Sequence, residues 1–220
     1  MRTALLAAAL VGALAAPAPA SAATLSVSPT RACYGSGQTV DVTGTGYTPN
    51  GGVNFTADDV LLATLPVDGN GVFGGSLRVG LASGERVKTY AATDQANAAL
   101  TASKELRVSA VNVTVSPQDG RPGRRLRIRA RGFTLGKKRL YAHIRRGRHY
   151  RRTVRIGRLR GACRKLRTRK RLFSSRARAG AYKLQFDTRL RYSRSTRQRV
   201  VFTVEISRSF SPASAAVRRG

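Results

Sequence analysis

One motif occurs twice in this chain, and it commits the chain to strands. SVSPTRACYGSGQTVDVTGTGYT at 26–48 is answered by TVSPQDGRPGRRLRIRARGFT at 114–134. Within each copy small or apolar side chains alternate with polar ones: Val40, Val42 and Gly44 in the first, Leu126, Ile128 and Ala130 in the second. A period of two puts one face of an extended segment in a core and the other in water; a helix would need apolar residues three and four apart. The alternation resumes downstream at Val53, Phe55 and Ala57, and again at Leu140, Ala142 and Ile144. Residues 61–67 (LLATLPV) run through Asp68-Gly69-Asn70-Gly71 into 72–79 (VFGGSLRV), which reads as a hairpin because Asn-Gly accepts the positive φ angles of a tight turn. Two more strands close each copy, 86–93 and 104–109 in the first, 181–186 and 199–206 in the second. About seven short strands per copy, with turn signals between them, predict an antiparallel β-sandwich.

The copies are framed by segments of another kind. MRTALLAAALVGALAAPAPASA at 1–22 has one early arginine, an apolar run, and small residues at Ala20-Ser21-Ala22, the pattern of a signal peptide cleaved after Ala22. The apolar run is shorter than the roughly 20 residues that span a bilayer. The expected organisation is a signal peptide at 1–22, a sandwich at 23–110, a second at 111–206 and a disordered basic tail at 207–220. The expected location is extracellular or the cell envelope. Each sandwich has enough chain for one modest core.

The motifs resemble bacterial immunoglobulin-like domains of exported actinobacterial proteins, related to the IPT/TIG type. The resemblance rests on Val27-Ser28-Pro29, Gly37, Val40, Val42, Gly46-Tyr47-Thr48, Asp68–Phe73 and Thr89–Asp94 in the first copy. In the second it rests on Val115-Ser116-Pro117, Gly123, Leu126, Ile128 and Gly132-Phe133-Thr134. It implies an all-β fold of two tandem immunoglobulin-like antiparallel β-sandwiches. It implies no single function, because such sandwiches carry many.

Charge divides the copies. Residues 23–110 hold 6 Lys/Arg against 7 Asp/Glu, whereas 111–220 hold 34 against 3, a net of +31. In the strand at 125–131, Arg125, Arg127, Arg129 and Arg131 must point away from Leu126, Ile128 and Ala130, about 7 Å apart. Lys165, Arg167, Arg169 and Arg171 share a face in the same way, opposite Leu166 and Leu172. By position these are strands B and E, neighbours in one sheet of an immunoglobulin-type sandwich, with Arg155 on a strand D beyond E. The expectation is one plate of nine cations that docks an anionic partner, an envelope polymer or lipid headgroups. Nucleic acid fits the charge but not export. Two other readings stay open: a structural or adhesive spacer whose charge gives only solubility and retention, and a binder of extracellular nucleic acid. Tyr150 and Tyr192 are open between ligand stacking and packing; Tyr141 reads as packing.

Cys33 falls between strands A and B of the first copy, and Cys163 between D and E of the second. Strand alternation brings both loops to the junction, so an inter-domain Cys33–Cys163 disulfide is expected, the alternative being two partly buried thiols. A catalytic or metal-binding role finds little support, and neither catalysis, a metal nor a cofactor is expected. The second copy has three acids, Asp119, Asp187 and Glu205, and the chain has two histidines, His143 and His149. Asp187 reads as an ion-pair partner of nearby arginines. Asp68-Gly69-Asn70-Gly71 lacks the later ligands of a calcium loop.

Overall fold

The computed structural model describes residues 22–207. The signal segment expected at 1–22 and the tail at 207–220 lie, but for one residue each, outside them. Among the described residues there are sixteen strands and no helix. Eight precede residue 110: β1 (Thr24–Ser28), β2 (Tyr34–Gly35), β3 (Thr39–Thr45), β4 (Gly52–Ala57), β5 (Val60–Pro66), β6 (Val72–Arg78), β7 (Glu85–Asp94) and β8 (Thr101–Ser109). Eight follow: β9 (Asn112–Ser116), β10 (Asp119–Gly120), β11 (Arg125–Arg131), β12 (Arg139–Arg146), β13 (His149–Arg158), β14 (Leu166–Arg171), β15 (Gly180–Asp187) and β16 (Val200–Ile206).

The strands form two tandem immunoglobulin-like sandwiches of identical topology. In the first, a three-stranded sheet β1-β3-β6 packs on a five-stranded sheet β2-β8-β7-β4-β5; in the second, β9-β11-β14 packs on β10-β16-β15-β12-β13. Pairing is antiparallel except for the short parallel contacts of β2 with β8 and β10 with β16. The alternating residues supply the cores. Val40 and Val42 meet Phe55, Phe73 and Tyr90 in the first, and Leu126, Ile128 and Phe133 meet Leu140, Leu184 and Phe186 in the second. After β11 the chain turns on Gly132, whose φ of +79° suits glycine, and a Cβ there would stand 2.1 Å from the Ala110 carbonyl oxygen.

Two pairing expectations are corrected. The strands at 61–67 and 72–79 are not a hairpin: β5 pairs with β4 and β6 with β3, in opposite sheets. In the turn between them the Asp68 carboxylate accepts the N–H groups of Asn70 and Val72 at 2.9 Å each, and the Asp68 and Gly71 carbonyls accept the N–H groups of Asn50 and Tyr47. Nor does the strand carrying Arg155 lie beside strand E. β13 pairs with β12 in the five-stranded sheet, Tyr141 opposite Arg155, because the tight turn at Gly147-Arg148 holds Arg146 against His149.

Candidate anion-binding face

β11 and β14 are neighbours, and their register sets arginine against arginine. Arg125 stands opposite Arg171, Arg127 opposite Arg169, and Arg129 opposite Arg167. All six are exposed, while Leu126, Ile128 and Ala130 are buried on the other side of the sheet. Like charges in direct cross-strand opposition destabilise a sheet by a few tenths of a kcal/mol or more per pair. None of the six guanidinium groups enters any of the four ion pairs of the described residues. On the far flank β9 sets Ser116 beside Arg127 and Thr114 beside Arg129. An open cleft of about 430 Å³ lies between Arg127, Arg129, Arg167 and Arg169.

The first sandwich shows what the same backbone carries without this charge. Thr39, Asp41, Thr43 and Thr45 of β3 hold the motif positions of Arg125, Arg127, Arg129 and Arg131. There the outer face is self-satisfied: Asp41 accepts a hydrogen bond from Ser76 at 2.8 Å, and Thr45 bonds Thr24 at 2.8 Å.

The three other cations expected on the plate are placed elsewhere. Arg155 lies in the opposite sheet of the sandwich, on β13. Lys165 turns to the first sandwich, its Nζ 2.6 Å from Glu85 Oε2. Arg131 also turns there and donates to the Ser83 carbonyl at 3.3 Å. Lys165, against burial that pushes the other way and with help from Arg107, holds the Glu85 carboxyl below the usual range. Cys33 and Cys163 meet at the same junction in a disulfide, with Cα atoms 5.1 Å apart. The plate of nine is thus six arginines on two strands, with Arg131 and Lys165 at the junction edge.

The sheet opposite holds a site the sequence reading missed. His143, fully buried, bonds Thr153 Oγ1 through Nδ1 at 2.7 Å and donates from Nε2 to Asp187 Oδ1 at 3.1 Å. Tyr150 OH lies 2.7 Å from Thr153 Oγ1. Gln185 Nε2 donates to Asp187 Oδ2 at 2.7 Å and to the Ser193 carbonyl at 2.8 Å. The Arg189 N–H donates to Asp187 Oδ1. So Asp187 does not pair with arginine side chains, as its surroundings in sequence suggested; its partners are an imidazole, an amide and one backbone N–H. Burial pushes its carboxyl up, but the hydrogen bonds from His143, Gln185 and Arg189, with the imidazole's charge, hold it below the usual Asp range.

Hydroxyl, imidazole and carboxylate in a row are the parts of an activated nucleophile. Here the imidazole and the carboxylate are fully buried. Tyr192 lies edge-on to His143 at 5.7 Å and stacks on Tyr150 at 5.7 Å, and Arg145 sits over Tyr192 at 5.4 Å. The two tyrosines left open for ligand stacking are therefore engaged with each other. The network fastens the loop at 188–199 across the outside of β12 and β15. The repeat carried a signal for it: Asp94 ends β7 as Asp187 ends β15, and it too is buried. Asp94 accepts the N–H groups of Thr48, Ala96 and Asn97. These bonds, the one from Thr48 foremost, outweigh burial and hold its carboxyl below the usual range.

Among the described residues no helix is long and apolar enough to cross a membrane, and no group of three or more His, Cys, Asp or Glu is placed to hold a metal. No family model and no curated protein matches the chain. Among solved structures, the chain is similar to a tetra-tandem repeat from the extending region of a large adhesion protein (17% identity, 85% of this chain and 49% of that one, TM-score 0.29). It is similar to a putative membrane-anchored protein of Corynebacterium diphtheriae (12% identity, 86% and 58%, TM-score 0.35). A third is the adhesin InvE of Yersinia pseudotuberculosis (12% identity, 84% and 58%, TM-score 0.33). The chain spans about half to three fifths of the length of these proteins.

Proposed function

We propose that this is an exported, non-catalytic cell-surface protein whose second sandwich, 111–206, holds a linear anionic polymer along β11 and β14. The first sandwich, 23–110, is its near-neutral spacer. One observation carries the reading: three arginine pairs stand in register, uncompensated, where the sister sandwich pairs Thr39 with Arg78, Asp41 with Ser76 and Thr43 with Gly74. Such a face costs stability when bare and gains it when a polyanion neutralises it. Arginine forks suit phosphate and carboxylate oxygens.

The surroundings of the face favour a polymer over a membrane. Among the described residues the large exposed apolar side chains are Val60, Leu61, Leu62, Leu81, Val87, Tyr150, Leu190 and Val201, and none lies on β9, β11 or β14. A lipid surface would meet charge with nothing to insert. No aromatic ring lies on those strands either, so the face offers single-stranded nucleic acid no stacking platform.

Binding is expected to weaken steeply with salt, because each neutralised phosphate releases counterion. The test is the salt dependence of binding to poly(glycerol phosphate), single-stranded DNA and anionic vesicles. Replacing Arg125, Arg127 and Arg129 with Ser should lower the log–log salt slope on the polymer by about 2, at ~0.7 for each phosphate that the variant no longer neutralises. The matched triple at Arg194, Arg197 and Arg199, all exposed outside these strands, should change it by less than half as much. Equal losses from the two triples would mean diffuse charge and return the protein to a spacer role. Preference for DNA or vesicles would name another partner class.

A further inference from the structure

We infer a second anion site in the same sandwich, a cleft for a compact oligophosphate, built on the opposite sheet and independent of the β11–β14 face. The cleft measures about 780 Å³, the size of a small-molecule site. Lys137, Lys138 and Arg139 line it where the chain enters β12, Arg155 and Arg158 on β13, and Arg189 and Arg191 on the loop that follows β15. Tyr141 contributes to its floor. All seven cations are exposed, none takes part in an ion pair of the described residues, and no acidic side chain lines the cleft.

The wall formed by the loop is held in place. The Arg189 N–H is fixed on Asp187 Oδ1 at 2.8 Å, and Gln185 Nε2 holds the Ser193 carbonyl. Farther along, Gln198 Oε1 accepts the Leu135 N–H at 2.8 Å and Gln198 Nε2 donates to Thr134 Oγ1 at 3.2 Å. Arg189 and Arg191 therefore share one preformed cleft with Arg155 and Arg158, and bringing those charges together is already part of the cost of folding. This cleft is larger than the one of about 430 Å³ between the arginine rows of the other sheet, and a loop forms one of its walls. A long polymer can lie along an open face, whereas a cleft walled on two sides favours a short ligand of high charge density. Condensed phosphates bring several charges, and oxygens for several arginine forks, into a few hundred Å³; a carboxylate brings one charge per group.

The probe is sodium tripolyphosphate, titrated calorimetrically into the whole protein, with citrate and orthophosphate as comparisons. Tripolyphosphate is expected to bind at least tenfold more tightly than citrate. The double substitution Arg155→Ser, Arg189→Ser should weaken it at least tenfold, and Arg127→Ser, Arg129→Ser by less than twofold. Arg155→Lys, Arg189→Lys, which keeps the charge and removes the forks, should fall between. All four positions are exposed, and a circular dichroism melt no lower than that of the wild type verifies the fold of each variant. Equal weakening by the two serine doubles, or citrate binding as tightly as tripolyphosphate, overturns the cleft while leaving the polymer-binding face to its own test.

Discussion

Replacing Asp187 with alanine is expected to destabilise the second sandwich by about 3 kcal/mol or more, in the range found when one partner of a buried charged network is removed. The carboxylate is fully buried, and its loss strands three N–H groups at once: that of His143 Nε2, one of the two on Gln185 Nε2, and the Arg189 backbone N–H. Water cannot repair them without lifting the loop at 188–199. Thr153→Val, which removes one hydroxyl from the chain, should cost only about 1 kcal/mol. The pH dependence follows in sign. Asp187 is held below its ordinary value in the folded state, so its contribution is present above about pH 4, the unfolded value, and is lost as pH falls through the lower folded value. Asp187→Asn should flatten that part of the acid limb, while Asp94, depressed in the same sense, retains its share in the first sandwich. Urea unfolding followed by circular dichroism between pH 3 and 7 measures both effects. A loss below about 1 kcal/mol for Asp187→Ala would show that the network is dispensable.

Removing the Cys33–Cys163 crosslink by serine at both positions is expected to cost about 2–5 kcal/mol. The bond joins residues 130 apart in sequence, and long closures restrict the unfolded chain most. It also ties the β1–β3 connection of one sandwich to the β13–β14 turn of the other. The polar contacts beside it are weaker ties. Lys165 of the Glu85 pair is 62% exposed, so that pair is worth no more than about 1 kcal/mol. The second tie is a single hydrogen bond from Arg131. The double-serine protein should therefore both unfold at lower urea and show a broader spread of inter-domain distances in small-angle scattering. Glu85→Gln should change neither by much. Matching urea midpoints for the wild type and the double-serine protein would mean that the sandwiches unfold without reference to each other.

Much of this fold is legible along the chain, for local reasons. The alternation at 39–45 and 125–131 marks strands whose buried faces the structure shows residue by residue, and the internal repeat carries the neighbour relation of β11 and β14 from position alone. Legibility ends where a strand has to choose between sheets. Nothing in the composition of 149–158 favours either sheet; the two-residue turn at Gly147-Arg148 makes the choice, and β13 joins β12 as β5 joins β4 in the first sandwich. At 68–71 the reverse holds: a good turn does not make a hairpin, because the strands it joins take their partners in opposite sheets. The His143–Asp187 pair is beyond local reading because its members are 44 residues apart and meet only when β12 and β15 pair. The oligophosphate cleft is hidden likewise, since Arg155 and Arg189 come together only after the loop folds back across β12.

The position of the disulfide also decides how the molecule would respond to pulling. Tension applied between residues 22 and 207 travels from β1 to Cys33, crosses to Cys163, and leaves through β14, β15 and β16. The chain between the cysteines, which includes β2 to β13, is bypassed and bears no load while the bond is intact. Stretched out, that span would add roughly 440 Å of length. A single-molecule pulling trace should gain an extension of that order on reduction, and identical traces in both redox states would mean the load takes another route. Oxidised, the protein is a short tether; reduced, it becomes a long extensible one.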